Sequence, residues 1–180
     1  TLAPGAYTAG VTGGTGSGVV LVAVYDANSN TPLAAQQLVN ISTRGFVDTG
    51  DGNLIAGFVI TGNAPKRVLV RGIGPSLTQF GVQGAVADPM LRVFAANGNT
   101  VVAQNNDWSL PQPMNAGQIA ASAAEITAAS SASGAFPLAA GARDAAILIT
   151  LMPGNYTAVV SGANNTTGAG LVEVYEITSF

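Results

Sequence analysis

The first 26 residues of this chain are repeated later in the sequence, at residues 150–176. Thr1–Ala9 and Thr150–Ala158 are identical except at two positions, and Gly18–Asp26 is repeated, with more changes, as Gly168–Glu176. Both copies contain a Pro-Gly-x-Tyr sequence, a connection rich in Gly and Thr or Asn, and a Leu-Val-x-Val-Tyr sequence. The chain therefore contains one repeat and a second copy of one of its pieces. Modules organised in this way can be joined head to tail.

The repeated piece has the sequence pattern of a β-hairpin. Two apolar runs, Ala6–Thr12 and Gly18–Tyr25, predict strands, and the Gly-rich residues 13–17 between them predict the turn. We therefore divide the chain into an N-terminal hairpin, residues 1–26, which duplicates residues 150–176, and a main domain, residues 27–180.

The N-terminal copy is apolar on both faces of its second predicted strand, Val19–Val24. A hairpin with one face in water should alternate between polar and apolar residues, so this strand is expected to be covered on both sides. The later copy is more polar, with Glu173 where the first copy has Ala23. Two interpretations remain: the first copy packs against a second surface, or the duplicates have drifted apart. The former makes the N-terminal copy the better candidate for a segment that reaches into a neighbour.

The rest of the chain consists largely of short apolar runs separated by turn residues. This spacing predicts an all-β fold of the sandwich or jelly-roll type. Gly, Asn, Asp and Pro occupy the gaps, as in Gly50–Asn53 and Pro153-Gly154. The predicted strands of the main domain are Leu38–Ile41, Gly45–Val47, Leu54–Thr61, Arg67–Ile73, Met90–Ala95, Thr100–Gln104, Ala145–Leu151, Tyr156–Ser161 and Gly170–Ile177.

One Ala-rich segment, residues 115–130, has a different pattern. Ile119 and Ile126 are spaced by two helical turns, and Asn115 with Gln118 three residues later resembles a helix N-terminus. The sequence therefore predicts a short surface helix over residues 115–130, followed by a loop that reaches Ala135.

The composition excludes several function classes. Charged residues make up 8% of the chain, the net charge is −3, and the basic residues are scattered, so we expect no nucleic-acid partner. The absence of His and Cys removes the usual general base, thiol nucleophile and disulfides. The acidic residues form no recognisable catalytic motif, so we expect no enzyme activity. Arg143 and Asp144 interrupt the apolar stretch 136–152, which argues against a transmembrane helix.

A candidate calcium site lies in the Gly-rich turn that contains Asp48, Asp51 and Asn53. Carboxylate and amide oxygens are the ligands that Ca²⁺ prefers, but the spacing is not that of an EF-hand. A tight turn, in which Asp and Asn bond their own backbone, is the favoured interpretation. No other cofactor is expected.

A candidate sugar-binding group surrounds the single tryptophan. Asn105, Asn106, Asp107 and Trp108 combine a ring that could stack on a sugar with polar groups that could bond its hydroxyls. A single Trp in a β-domain more often anchors the core. Polysaccharide binding through these four residues is therefore an alternative function.

Two other Gly-rich segments lack what a nucleotide-binding loop requires. Arg71–Leu77 contains a Gly-x-Gly sequence that is followed by Pro75, and Gly13–Gly18 has no Lys. Both are interpreted as turns.

The body of the sequence resembles a known type of module. The residues that carry the resemblance are Leu38–Val47, Thr49–Asp51, Leu54–Phe58, Arg67–Leu77 and Ala87–Pro89. They are similar to uncharacterised β-rich repeat modules of large secreted and cell-surface bacterial proteins, in which the same terminal hairpin flanks the same body. The resemblance implies an extracellular, non-catalytic, structural or adhesive role. It supplies no catalytic or binding residues.

These features together predict a structural subunit that assembles with itself into an extracellular filament or surface array. Each module would keep one copy of the hairpin and offer the other to its neighbour. Contacts of this head-to-tail type build open polymers unless the rotation closes a ring. Backbone pairing would supply the affinity of such a junction. The predicted interface residues are Tyr7, Val11, Val20, Val22, Val24 and Tyr25.

Overall fold

The structure, a computed structural model, describes residues 2–16, 18–25, 38–96, 98–112, 114 and 118–178. The chain separates into two compact units, Thr1–Leu38 and Val39–Phe180. We refer to the second unit as the body and to residues 2–25 as the N-terminal segment, and describe each by itself.

The body is a β-sandwich of two antiparallel four-stranded sheets. Sheet A has the strand order β1-β8-β3-β6, and sheet B has the order β2-β7-β4-β5. This architecture confirms the predicted all-β sandwich with a short helix. The elements are β1 Asn40–Val47, β2 Leu54–Ile60, β3 Lys66–Ile73, β4 Pro89–Ala95, β5 Val101–Asn105, α1 Ala123–Ala132, β6 Ala145–Leu151, β7 Gly154–Gly162 and β8 Gly168–Ile177, with short 3₁₀ turns at Pro75–Phe80 and Ala163–Asn165.

The main core lies between the two sheets, where alternate residues of each strand meet. Val68 and Val70 of β3, Val160 of β7 and Val172 of β8 belong to this cluster. A second cluster covers the outer face of sheet A. There Leu69, on the opposite face of β3, packs with Leu148 of β6, Ile126 of α1 and other residues of the segment between β5 and β6. Strands β3 and β6 of sheet A are therefore buried on both faces, which explains their apolar runs.

The predicted strands of the body agree with the observed ones, apart from one division. The predicted strands Leu38–Ile41 and Gly45–Val47 are parts of a single strand, β1. Ser42, Arg44 and Phe46 of this strand are exposed, and the strand continues through residues 42–44, which lie between the two predicted strands. The other strands begin and end within a few residues of their predicted bounds.

The helix begins later than predicted, at Ala123 instead of residue 115. Ser122 is its N-cap: the Ser122 hydroxyl accepts a bond from the Glu125 backbone N–H, and the Glu125 side chain accepts one from the Ser122 N–H. This capping box specifies the start, because it satisfies backbone donors that a helix beginning elsewhere would leave open. Residues 118–122 are not helical, so Ile119 lies outside the helix. The predicted cap, Asn115, lies outside the described residues.

The described residues of the N-terminal segment, 2–16 and 18–25, contain no β-strand, although strands were predicted over Ala6–Thr12 and Gly18–Tyr25. A turn is present where expected, with the Gly16 N–H donating to the Gly13 carbonyl oxygen at 2.9 Å. All of these described residues are exposed. Residues 26–37 lie outside the described residues, so the predicted domain boundary after residue 26 stays a prediction.

No helix among the described residues is long and apolar enough to cross a membrane.

Candidate assembly interface

The later copy of the duplicated piece forms one of the two inner strands of each sheet. Strand β7 pairs with β2 on one side and β4 on the other. Strand β8 pairs with β1 and β3 in the opposite sheet. The hairpin predicted for this copy is therefore wrong, since β7 and β8 do not pair with each other. The later copy therefore forms a strand, a crossing between the sheets, and a second strand.

Glycines make the crossing from β7 to β8 possible. Gly168 has φ +149°, and a Cβ atom there would lie 2.5 Å from the Gly84 carbonyl oxygen. A Cβ on Gly162 would overlap the carbonyl oxygen of Thr166. The first copy has Gly13 and Gly18 at the corresponding positions, although a Cβ on Gly18 would meet nothing within 4 Å. Nothing in the segment's own conformation therefore requires glycine at position 18.

The two copies share one local contact, although only the later copy lies in a sheet. The Tyr156 hydroxyl donates to the Met152 carbonyl oxygen at 2.9 Å, and the Tyr7 hydroxyl donates to the Ala3 carbonyl oxygen at 2.7 Å. In both copies the Tyr ring lies against the Gly of the Pro-Gly sequence. This Tyr contact is therefore common to both copies.

The predicted interface residues correspond mostly to core positions of the body. Val160 and Val172, both 0% exposed, are the counterparts of Val11 and Val22, which are 55% and 45% exposed. Tyr175, 7% exposed, is the counterpart of Tyr25, at 87%. The remaining pairs are Tyr7 with Tyr156, Val20 with Gly170 and Val24 with Val174. The first copy thus exposes side chains whose counterparts in the body are buried, either between the sheets or on the outer face of sheet A.

One difference between the copies removes a buried charge. Glu173 accepts bonds on Oε2 from Arg71 Nε at 2.7 Å and Nη2 at 2.5 Å, and on Oε1 from the Tyr175 hydroxyl at 2.8 Å. Arg71 is fully buried, and its remaining bond goes to the Phe136 carbonyl oxygen at 2.7 Å. Burial raises the pKa of the Tyr175 phenol, and the adjacent Glu173 carboxylate raises it further. The first copy has Ala23 at the position of Glu173, and so has no partner for an arginine there.

A second difference changes the volume of the core. Gly170 faces the space between the sheets, where a Cβ would lie 2.6 Å from Val47 Cγ2 and 3.6 Å from Val86 Cγ1. The first copy has Val20 at this position. In a sandwich identical to this body, the Val20 side chain would overlap Val47.

The predicted sugar-binding residues lie together, but the tryptophan is part of the core. Trp108 is 7% exposed and its indole N–H donates to the Ala139 carbonyl oxygen at 3.1 Å. The Asn105 amide is used by the fold: its nitrogen donates to two carbonyl oxygens, and its oxygen accepts from the Ala146 N–H. Asn106 and Asp107 are partly exposed beside them. The ring is therefore not a free platform for a sugar.

The candidate calcium residues lie in the turn between β1 and β2. Asp48 Oδ1 accepts from the Thr49 N–H at 2.8 Å, and the Asn53 amide donates to the Gly50 carbonyl oxygen at 3.0 Å. Gly50 has φ +62°. Both side chains thus bond to backbone groups of the turn itself, in agreement with the tight-turn interpretation. Among the described residues no three Asp or Glu side chains converge as metal ligands, and calcium binding here stays a prediction.

The Arg71–Leu77 motif is a structural corner held by Asp144, a residue that the sequence analysis noted only as an interruption of an apolar stretch. The buried Asp144 carboxylate accepts bonds from the N–H groups of Gly74 and Ser76 and from the Ser76 hydroxyl. A Cβ on Gly74 would overlap the Val86 carbonyl oxygen. The Gly-x-Gly-Pro-Ser sequence therefore fixes the path from β3, as its interpretation as a turn implied.

Comparison with known proteins identifies no family. No protein-family model matches the chain, and no curated protein matches it. Among solved structures, the pre-peptidase C-terminal domain of a collagenase from Bacillus anthracis is similar, at 12% identity and a TM-score of 0.42. The similarity covers 76% of this chain and 89% of that domain. A likeness of this degree does not bear on function.

Proposed function

We propose that this protein is a structural subunit of an extracellular assembly, in which sandwiches of this fold are joined end to end through the N-terminal segment. The observation that carries the proposal is the difference in structure and burial between the two copies. One copy forms an inner strand of each sheet, while the other, with the same apolar residues, is exposed along its described length.

The exposed segment would be stabilised by binding a partner that buries its apolar side chains. Nine large apolar side chains are exposed within it: Leu2, Tyr7, Val11, Val19, Val20, Leu21, Val22, Val24 and Tyr25. Burial of each such side chain contributes about 1.5–3 kcal/mol. The backbone N–H and C=O groups of an added strand would pair with strands on either side, which supplies both affinity and register.

The geometry favours joining over carbohydrate binding, since the only Trp lies in the core and the Asn105 amide is fully used by the fold. The resemblance to modules of secreted and cell-surface bacterial proteins supports the extracellular setting. A contact in which one sandwich offers a segment and the next accepts it is heterologous, so it extends in one direction. The self-assembly of identical chains predicted from the sequence would be one form of such joining.

The proposal can be tested with an open body, residues 39–152, which ends before β7. The full chain carries an affinity tag and is co-expressed with the open body in two forms, one with Arg71 and one with Arg71→Met. We expect the tagged full chain to capture the open body in at least one form. The amount captured is measured after affinity purification.

Three controls define the result. A tagged fragment of residues 39–180 lacks the segment and should capture neither form. Val22→Asp should reduce capture, because the counterpart Val172 is fully buried. Thr15→Asp introduces the same charge in the connection, where the counterpart Asn164 is exposed, and should leave capture unchanged. Failure to capture either form, or equal capture by the 39–180 fragment, would contradict the joining role.

A further inference from the structure

We infer that Ala3–Tyr25 supplies an inner strand to each sheet of a second sandwich, one that resembles this body but has no charged residue at the position of Arg71. This inference rests on the proposed joining function and deepens it, because it names the partner. The partner is a related sandwich with open β7 and β8 positions, and not an identical copy of this chain.

The body itself has no open strand position that the segment could occupy. The positions between β2 and β4, and between β1 and β3, are filled by the chain's own β7 and β8. A partner must therefore be a sandwich whose corresponding positions are open. Such a sandwich would gain an inner strand in each sheet from the segment, including the crossing that Gly13 and Gly18 allow.

Because the segment has Ala23 at the position of Glu173, it does not match a partner that has a buried arginine at the position of Arg71. In the body, Arg71 is 0% exposed and directs two of its three side-chain bonds to Glu173. A strand with Ala at that position would leave the guanidinium buried with the Phe136 carbonyl oxygen as its remaining partner. Removal of one member of a buried ion pair is strongly destabilising, whereas an apolar residue in place of both charges is well tolerated. The segment is therefore matched to a partner with an apolar side chain at this position.

Val20, on the opposite face of the same strand, also does not fit a partner identical to this body. Gly170 is packed closely against Val47 in the body, so the two additional methyl groups and Cβ of valine do not fit there. Overfilling a packed core is destabilising. The segment is therefore matched to a partner with a smaller residue where this body has Val47. Two independent faces of one strand thus distinguish the partner from this body.

A graft in a single chain tests both the strand assignment and the partner's chemistry. The graft joins residues 39–152 to residues 4–25 and then to residues 176–178, so that the first copy replaces the second. Three versions are compared: the unmodified graft, a graft with Val20→Gly and Ala23→Glu, and a graft with Val47→Ala and Arg71→Met. Thermal unfolding and light scattering report whether each forms a folded monomer, with residues 39–178 as the reference.

We expect both altered grafts to fold as monomers with cooperative unfolding. The unmodified graft should melt lower than either by on the order of 10 °C, because it buries an unpaired Arg71 and overfills the core. If no version folds, the segment is not equivalent to β7 and β8 and the inference is overturned. If the unmodified graft is as stable as the altered ones, identical chains would be accepted and the partner assignment is wrong. Capture of the open body would still decide the joining function separately.

Discussion

Arg71 connects three parts of the body through one buried side chain. It lies on β3, bonds to Glu173 on β8, and donates to the Phe136 carbonyl oxygen in the segment that covers sheet A. Its guanidinium also lies 4.4 Å from the centroid of the Phe136 ring. Because Arg71 and Glu173 face each other in the register of the two strands, the pair fixes how β8 lies beside β3. A buried pair of this kind is costly to break and can be replaced as a unit.

Substitution of one partner alone should therefore be more harmful than substitution of both. Glu173→Ala should lower the free energy of unfolding of residues 39–178 by about 3–5 kcal/mol, because it leaves the Arg71 charge buried and unpaired. The double variant Arg71→Met with Glu173→Leu should recover most of this loss. Urea unfolding at neutral pH measures both. A double variant no more stable than Glu173→Ala would show that the ion pair is not the source of the effect.

Tyr175 should make the stability of the body depend on alkaline pH. The folded protein raises the pKa of this phenol, through burial and the Glu173 carboxylate. Its stabilising contribution is present below the unfolded pKa of about 10 and is lost as the pH rises beyond it toward the folded pKa. Stability should fall in that range with a slope of up to about 1.4 kcal/mol per pH unit from this group.

The measurement is urea unfolding at several values between about pH 8 and pH 11. Tyr175→Phe serves as the control, since it keeps the ring and removes the titrating hydroxyl. The variant should have a smaller slope above about pH 10 than the original protein. Equal slopes would contradict the assignment of this pH dependence to Tyr175.

At the level of elements, helix α1 is specified by its cap more than by its apolar pattern. Three of its residues are buried, Ile126, Ala129 and Ser130, and they lie over the outer face of sheet A. The capping box of Ser122 and Glu125 sets where the helix begins. Hydrogen bonds from Ser122 lower the pKa of Glu125, which keeps the capping carboxylate ionised in mild acid.

Ser122→Ala should lower the free energy of unfolding by about 1 kcal/mol, the usual effect of losing an N-cap side chain. Ser131→Ala, an exposed position within the same helix, provides a matched control and should have little effect. Chemical denaturation of both variants gives the comparison. Equal effects at the two positions would indicate that the cap does not stabilise the helix.

The strands were predictable because their signals are local. Ala145–Leu151 is an apolar run interrupted only by Thr150, and β6 has these bounds. The pairing of β7 and β8 was not predictable in the same way. Their five-residue connection, 163–167, suits a hairpin, and only packing between the sheets decides that each strand has two other neighbours.

The ion pair of Arg71 and Glu173 had a weaker signal in the sequence. The two residues are 102 positions apart, so no local pattern joins them. Each is the one charged residue within an apolar stretch, 68–73 for Arg71 and 169–175 for Glu173, and two such interruptions of opposite charge suggest a pair. The sequence analysis used the replacement of Glu173 by Ala23 only as a sign of a second packing surface. The structure shows that this exchange concerns a buried charge.

For the whole molecule, the body should fold without residues 1–38. Both core clusters consist of residues of the body, and all of its strand pairs are formed within it. We expect residues 39–178 to unfold cooperatively, with a melting temperature close to that of the full chain. Thermal unfolding followed by circular dichroism compares the two. Failure of the fragment to fold would show that the N-terminal segment stabilises the body directly.

The strand order also sets the sequence of events during synthesis. Within the sandwich, β1 pairs with β8 alone and β2 pairs with β7 alone. As the chain leaves the ribosome, these two early strands must therefore remain unpaired until the final two have been made. Before that point, β3 can pair with β6 and β4 can pair with β5, but each sheet still lacks one of its inner strands. Pairings between such distant parts of a chain form slowly, and exposed strands aggregate in the meantime. The nascent body should consequently be prone to aggregation until β7 and β8 emerge.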